Sequence, residues 1–452
     1  MIPPAKFVRR NRIGVFALTL VVLAIMTGLV VALLQARQAR TQRDVAQRIN
    51  TFLQDMIGGV EPEAKDIGAK FSDLLNEASI RAKAELATEP AVMAGVLLAL
   101  GRTYLSLGQD EPAEANLRAA LEASSNGELH STTATTMGWL GLALANRDKY
   151  AEGEKISRKA VELQRKLHPG GDKDLGVALY ALGLNLSNKR EPKAAQPFLR
   201  EASELIRKHF GETHHFYPTS LITLAVAHER AGEADAAESI VRQAIALAGQ
   251  VESRHRTVLA QAQTFLAFLL ANKGAYVEAE TLLQGSETIY REAYGGDAND
   301  SVGAVKADLG SLYLLKGDYE RAETESRKAL DLLRKYLGPE HAVSARAAAT
   351  LGLTLTREGR AAEGEPYLRE ALAIRTKVVP LDSYLIPFTE SALGECLTAQ
   401  KRYAEAEPLL TDGYTGLIWK LGEKDVRTVE ARQRVAKLYD AWGKPDQALL
   451  FR

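Results

Sequence analysis

The sequence predicts an all-α protein, an α-solenoid of stacked helix pairs behind one N-terminal membrane-spanning helix. Three observations predict it. A pattern of small and large apolar residues returns about every 42 residues along most of the chain, glycines punctuate it at fixed offsets, and one charge-free stretch stands near the N-terminus. Apolar residues make up 46% of the 452 residues but aromatics only 6%, with Ala and Leu throughout, a mix suited to close-packed helices rather than sheets.

The charge-free stretch, IGVFALTLVVLAIMTGLVVALL, runs from Ile13 to Leu34. At about 1.5 Å per residue it spans a hydrocarbon core of roughly 30 Å. It is too long for the apolar part of a signal peptide, and Gln35-Ala36-Arg37 offers no small-x-small cleavage site. The expectation is a basic tail over residues 1–12 and an uncleaved anchor over 13–35. Lys6, Arg9, Arg10 and Arg12 flank it on one side and Arg37, Arg40, Arg43 and Arg48 on the other, so charge alone assigns no orientation. Residues 36–58 continue as a juxtamembrane helix. Val45, Ile49, Phe52 and Met56 form a heptad-like seam, too short for a stable coiled coil and expected to pack on the first repeat, with dimerisation through 36–57 as the alternative. Gly58-Gly59 and Pro62 end that helix, and a linker and capping helix fill 59–90.

The repeat array covers 91–452. Its clearest copy reads Leu309-Gly310, Tyr313, Gly317, Ala322, Ala329-Leu330, and its first full copy Leu100-Gly101, Tyr104, Gly108, Ala113, Ala120-Leu121. The small residue of the leading pair falls at 101, 141, 183, 225, 267, 310, 352, 394 and 436, giving eight full copies and a truncated ninth. A small residue there, and Ala twelve and nineteen positions on, let two helices approach closely. Gly at the seventh position (Gly108, Gly232, Gly274, Gly317, Gly359, Gly443) ends the first helix where positive φ is needed. The longer second helix often ends in cations, as in Arg165-Lys166, Arg207-Lys208 and Arg334-Lys335, which suit the negative end of the helix dipole. Gly170, Gly211, Gly295, Gly338 and Gly422 follow as terminators. Two ends differ. Phe71, Leu74, Leu75 and Ala78 mark a capping helix standing in the place of a second helix. Ala436, Tyr439, Gly443 and Ala448 open the ninth copy, whose exposed end calls for Leu449, Leu450 and Phe451 to fold back or for a partner to cover them.

This pattern resembles the tetratricopeptide repeat, in the 42-residue variety of kinesin light chains rather than the usual period of about 34. The loop phrase Gly338-Pro339-Glu340-His341 carries part of that resemblance. It implies antiparallel helix pairs stacked as a right-handed superhelix, with binding on the inner wall lined by first helices.

Catalytic motifs are missing. The sequence has no G-x-G-x-x-G, P-loop, H-E-x-x-H or nucleophile elbow, so no enzyme activity and no cofactor or metal is expected. With 57 basic and 57 acidic residues and a pI near 7.1, no nucleic-acid partner is expected either. His214-His215 form a pair that lacks further ligands, and the lone Cys396 reads as a small buried hydrophobe.

Five positions after the small residue stand Asn146, Asn188, Arg230, Asn272 and Arg357. Two readings stay open. They are helix C-caps, or a polar ladder that holds the backbone or a carboxylate of an extended peptide. Trp139 and Phe265 stand at a shared register next to the leading pair, as core packing or as aromatic contacts to that peptide.

A second resemblance lies at the amino end. Lys6-Phe7-Val8-Arg9-Arg10-Asn11-Arg12, the anchor, Gln35-Ala36-Arg37, Arg43-Asp44-Val45-Ala46, Phe52-Leu53-Gln54-Asp55-Met56 and Pro62 follow an order similar to the middle of bacterial eukaryote-like serine/threonine protein kinases. None of the kinase motifs is present, so no activity carries over. The resemblance implies a bacterial inner-membrane location, a cytoplasmic tail and periplasmic repeats, and leaves open a longer frame upstream of Met1. The expected function is a membrane-anchored scaffold or sensor module that binds proteins or peptides, a kinase or other signalling protein among the candidates. The alternative is the regulatory half of a split or truncated kinase.

Overall fold

A computed structural model describes residues 43–52, 54, 67–125, 130–252, 255–378 and 383–452. The expected anchor at 13–35 and basic tail at 1–12 lie outside the described residues. No described helix is long and apolar enough to cross a membrane. The chain forms two compact units, one through His209 and one from Phe210 onward.

In the first unit a helical stretch at 43–52 precedes α1 (Ile67–Glu85), α2 (Pro90–Ser106), α3 (Asp110–Ser125), α4 (His130–Asn146), α5 (Tyr150–Leu167), α6 (Lys173–Asn188) and α7 (Pro192–Phe210). The second holds α8 (Phe216–Arg230), α9 (Ala234–Ala248), α10 (Thr257–Asn272), α11 (Tyr276–Tyr294), α12 (Asp300–Lys316) and α13 (Tyr319–Tyr336). It continues with α14 (Ala342–Arg357), α15 (Ala361–Val378), α16 (Leu385–Ala399), α17 (Tyr403–Leu421), α18 (Val426–Ala441) and α19 (Pro445–Leu449). Even-numbered helices from α2 to α16 are the first members of eight pairs, and α18–α19 is the partial ninth.

The two helices of a pair bury their residues differently, and the sequence shows why. In α6 every residue from Leu175 to Gly183 is buried, and the helix packs on both α4 and α5 of the preceding repeat. Its partner α7 buries Ala195, Leu199, Ala202, Ser203 and Ile206, one stripe at three- and four-residue spacing. The small positions are where pairs cross most closely. In the seventh repeat Gly352 meets Gly364, and a Cβ at Gly352 would lie 2.7 Å from the Gly364 carbonyl oxygen.

Every first helix ends in the same turn. The amide nitrogens of Gln109, Lys149, Glu191, Glu233, Ala275, Asp318, Arg360, Arg402 and Lys444 each donate to the carbonyl five residues back, at 2.8–3.0 Å. This is the six-to-one bond of a Schellman motif, which requires a left-handed residue just before it. Glycine supplies it at six positions, but Asp148, Arg190 and Lys401 take it with φ of 58°, 69° and 62°. Stacking therefore enforces the turn even without glycine. Among the glycines expected to end second helices, Gly171 rather than Gly170 holds the positive φ. N-termini are capped where a suitable side chain stands: Asp172 accepts from the Leu175 amide and Asn299 from the Val302 amide, both at 2.8 Å.

The ends resolve two expectations. Val45, Ile49 and Phe52 pack against the first core cluster, whose members include Leu75, Ala78, Val96 and Leu100, so these three seam residues lie on the capping helix and first repeat; Met56 and the break expected at Gly58-Gly59 and Pro62 lie outside the described residues. At the other end Phe451 folds back between Tyr414 and Tyr439, with ring centroids 5.9 Å from each. Leu449 and Leu450 stay exposed.

Candidate peptide-binding wall

Within each unit, first helices touch the first helices of the next repeat: α2, α4 and α6 in one unit, and α8 through α18 in the other. These helices form the tighter wall of the stack, and the side chains facing away from the second helices line it.

All five ladder residues are the last helical residue of a first helix: Asn146 of α4, Asn188 of α6, Arg230 of α8, Asn272 of α10 and Arg357 of α14. They stand two residues before the left-handed position, at Asp148, Arg190, Gly232, Gly274 and Gly359, so none provides the αL cap itself. Asn146 Nδ2 donates to Asp110 Oδ1 of the preceding repeat at 2.8 Å, and Asn272 is exposed. Trp139 is partly buried, with the Arg102 guanidinium of the preceding repeat 4.7 Å from its ring centroid. Its indole N–H is buried without an acceptor. Phe265 packs partly against the core, its ring 6.3 Å from that of Phe268.

The wall of the second unit changes character along its length. From α8 to α12 it presents Ile222, Val226, Phe265 and Phe268, with Leu315 more than half exposed. From α14 to α18 it is ionic, around a cleft of about 350 Å³ lined by Tyr319, Arg357, Glu395, Glu430, Gln433, Arg434 and Lys437. Two arginines and two glutamates alternate there. Glu395 Oε1 pairs with Arg357 Nε at 3.3 Å and its Oε2 with Arg434 Nε at 2.6 Å. Glu430 Oε1 pairs with Arg434 Nη2 at 3.1 Å and also with Arg357, 73 residues away. Arg434 is only 3% exposed. It donates to Ser391 Oγ at 3.2 Å and lies over the Phe388 ring. Burial opposes the charge on Glu395, but Arg434 and Arg357 outweigh it and hold the carboxyl below its ordinary pKa. Burial likewise opposes the charge on Arg357, which its two glutamates hold firmly protonated.

Only Arg357 of this cleft belongs to the expected ladder. The rest was hidden because Arg357, Glu395 and Glu430 come together only when repeats seven, eight and nine stack. A second ionic feature also escaped the sequence reading. The residue thirteen past each small position is Glu114, Glu154, Glu238, Glu280, Glu323, Glu365 or Glu407 in seven repeats. Six of these are gripped by a cation at the first-helix end of the next repeat. Lys149, Lys189, Lys273, Lys316, Arg360 and Arg402 take that role, at 2.6–2.8 Å. The second-helix cations also reach forward to the next second helix, as Arg165 to Glu201 and Arg334 to Glu370, both at 2.6 Å.

His214 and His215 gain a neighbour, His255, stacked on His215 at 4.0 Å between centroids. Parallel stacking sets the ring nitrogens side by side rather than converging on a point. Among the described residues no group of three His, Cys, Asp or Glu could hold a metal ion. Cys396 is buried, and its thiol donates to the Ala361 carbonyl at 3.1 Å.

Comparison with known proteins agrees with this architecture. Sequence models of the tetratricopeptide repeat match residues 94–126, 132–208, 176–250 and 301–377, which together cover half of the chain. No match was found among curated protein sequences. Among solved structures, the apo quorum sensor NprR from B. thuringiensis is similar over 78% of this chain and 95% of its own, at 13% identity and a TM-score of 0.53. A Rap protein complexed with competence and sporulation factor is similar over 79% and 99%, at 15% identity and a TM-score of 0.52. Aspartyl phosphate phosphatase F from Bacillus subtilis matches over 79% and 91%, at 15% identity and 0.51. At such identities the likeness is one of fold. The 42-residue register, the nine identical turns and the matched repeat models place this chain in the tetratricopeptide repeat family.

Proposed function

We propose that this chain is a membrane-anchored scaffold or sensor module that binds partner proteins or peptides along its first-helix wall. The carrying observation is the wall of the second unit, where half-exposed Phe268 and Leu315 precede an open ionic cleft. Apolar side chains left facing solvent beside polar donors are what a peptide site needs: area to bury and groups to fix register. That a similar solenoid is complexed with competence and sporulation factor supports the reading. No catalytic role is proposed.

The test is photo-cross-linking from the wall. A photoreactive residue at Phe268 or Leu315 captures partner proteins in membranes, whereas the same residue at Trp419, exposed on second helix α17, does not. Equal capture from all three positions ends the proposal.

The membrane placement rests on the sequence of Ile13–Leu34, and the extracytoplasmic side on the resemblance of Lys6–Pro62 to the middle of bacterial eukaryote-like serine/threonine protein kinases. A C-terminal reporter active only in the cytoplasm overturns the outside placement. That same resemblance favours a second reading, the sensor half of a divided kinase. It fails if no kinase frame lies upstream in the DNA.

A further inference from the structure

Two neighbouring second helices of the first unit carry charge that the fold leaves unused. α5 has five cationic residues and three acidic ones, and α7 has four and two. The helices lie side by side, since Arg165 of α5 reaches Glu201 of α7 at 2.6 Å. Arg158 and Lys166 are taken up by Glu154 and Glu162 of their own helix. Lys155, Lys159, Lys193, Arg200 and Lys208 are all exposed, and none has an ion-pair partner among the described residues. Only Glu204 among the acidic residues of the two helices stands likewise alone.

α11, a second helix of the other unit, is built differently. It holds four glutamates and one arginine, and every one of them is in an ion pair. An uncompensated patch is therefore no general consequence of packing second helices side by side. The spacing sets the free cations away from the first helices. α5 buries Gly153, Ser157, Ala160 and Gln164, which leaves Lys155 and Lys159 one turn apart on its outer stripe. Apart from Leu167 at the end of α5, no large apolar side chain of these two helices is exposed.

That combination selects the partner. A folded protein ligand needs apolar area to bury, and a single-stranded nucleic acid needs rings on which to stack. A bilayer surface with anionic phospholipid needs only spread positive charge. The anchor expected at Ile13–Leu34 brings such a surface close to the first repeats. We propose that the outer face of α5 and α7, in repeats two and three, rests on an anionic phospholipid surface. The inference rests on the membrane placement proposed above and adds which face turns toward the bilayer.

The experiment uses the full chain in vesicles of phosphatidylcholine alone or mixed with phosphatidylglycerol. A donor dye is attached through Ala194→Cys, exposed beside Lys193, and an acceptor is carried by the lipid headgroups; the native Cys396 is buried. Energy transfer is expected to be higher in the mixed vesicles and to fall toward the phosphatidylcholine value as salt rises. Lys159→Gln with Arg200→Gln lowers the ratio of docked to free chain by about 25-fold, which is about fivefold for each cation at the surface. Lys335→Gln with Lys424→Gln removes the same charge from exposed positions of the second unit and leaves the transfer unchanged. Equal transfer in the two kinds of vesicle overturns the inference, as do equal effects from the two double variants. So does polyglutamate that binds through Lys159 and Arg200 while lipid charge changes nothing, a result that assigns the patch to an acidic protein. Flotation separates this inference from the membrane placement. Chain that floats with phosphatidylcholine alone is anchored, whatever becomes of the patch. Chain that floats only with the mixed vesicles loses the anchor and keeps the patch, and chain that floats with neither defeats both.

Discussion

Repeats four to six and seven to nine are built on one plan, yet their walls oppose each other in character. The position just after the small residue is Val226 and Phe268 in repeats four and five, but Glu395 and Lys437 in repeats eight and nine. Two residues before it stand Phe265 in repeat five and Arg434 in repeat nine. The helix pairs tolerate both because these side chains face the wall and not the pair interface. What the difference teaches is a cost rule. Apolar wall residues can be left half-exposed, whereas charges withdrawn from water, such as Arg434 and Glu395, must be paired, so the ionic region holds a closed ring of Arg357, Glu395, Arg434 and Glu430 with Lys437 exposed beside it, and the apolar one is an open strip.

The largest effect on that comparison comes from opening the ring. Arg434→Ala leaves Glu395 enclosed with one partner, and is expected to cost about 3 kcal/mol in urea unfolding. Replacing Arg434 and Glu395 together by Met removes the stranded charge and should recover most of that loss. A double variant as unstable as the single one would show that the ring, not its enclosed charge, carries the stability. Next, Gly364→Ala in repeat seven sets a methyl against the Gly352 carbonyl, and is expected to destabilise by about 2 kcal/mol through overpacking. A neutral result would show that the pair can separate without loss.

The third prediction concerns pH. Glu114, Glu154, Glu238, Glu280, Glu323 and Glu365 all have pKa values held below the ordinary carboxylate value. The bonds from Lys189, Lys273, Lys316 and Arg360 are the main cause at four of them; burial is overridden at Glu114 by Lys149 and Arg118, and at Glu365 by Gln400 together with Arg369 and Arg402. A lowered folded-state pKa stabilises fully above the unfolded value, about 4.5, and that contribution disappears as pH falls through the lowered values. The melting temperature should therefore drop steeply below about pH 4.5, and less steeply in a Glu323→Gln, Glu365→Gln variant. An unchanged profile in that variant would remove the inter-repeat glutamates as the cause. The smallest effect is Lys401→Gly, which relieves a left-handed lysine in repeat eight and should stabilise by about 0.5–1 kcal/mol in the same urea assay.

Much of the fold was legible because its constraints are local or strictly periodic. Gly352 and Ala371 are read from spacing alone, since a close helix crossing accepts little else there. The wall was less legible. Asn146, Asn188, Arg230, Asn272 and Arg357 share one register and one helix end, as their spacing says, but of these only Arg357 lines the cleft. Glu365 and its kin share one register in the sequence but were not singled out there. Their partners lie 35–37 residues ahead, so the pairing has meaning only once neighbouring repeats are stacked.

By itself, the amino-acid sequence determined the helix pairs, their 42-residue register, the number of repeats and the place of every first-helix turn. Those features follow from side-chain size, apolar periodicity and backbone φ, which act within one pair. Tertiary structure alone decided that Asp148, Arg190 and Lys401 adopt a glycine conformation, that Phe451 closes on Tyr414 and Tyr439, and that Arg357 meets Glu430 across 73 residues. These depend on how successive pairs are rotated against one another. That rotation is a small angle summed over several interfaces, and no single repeat encodes it.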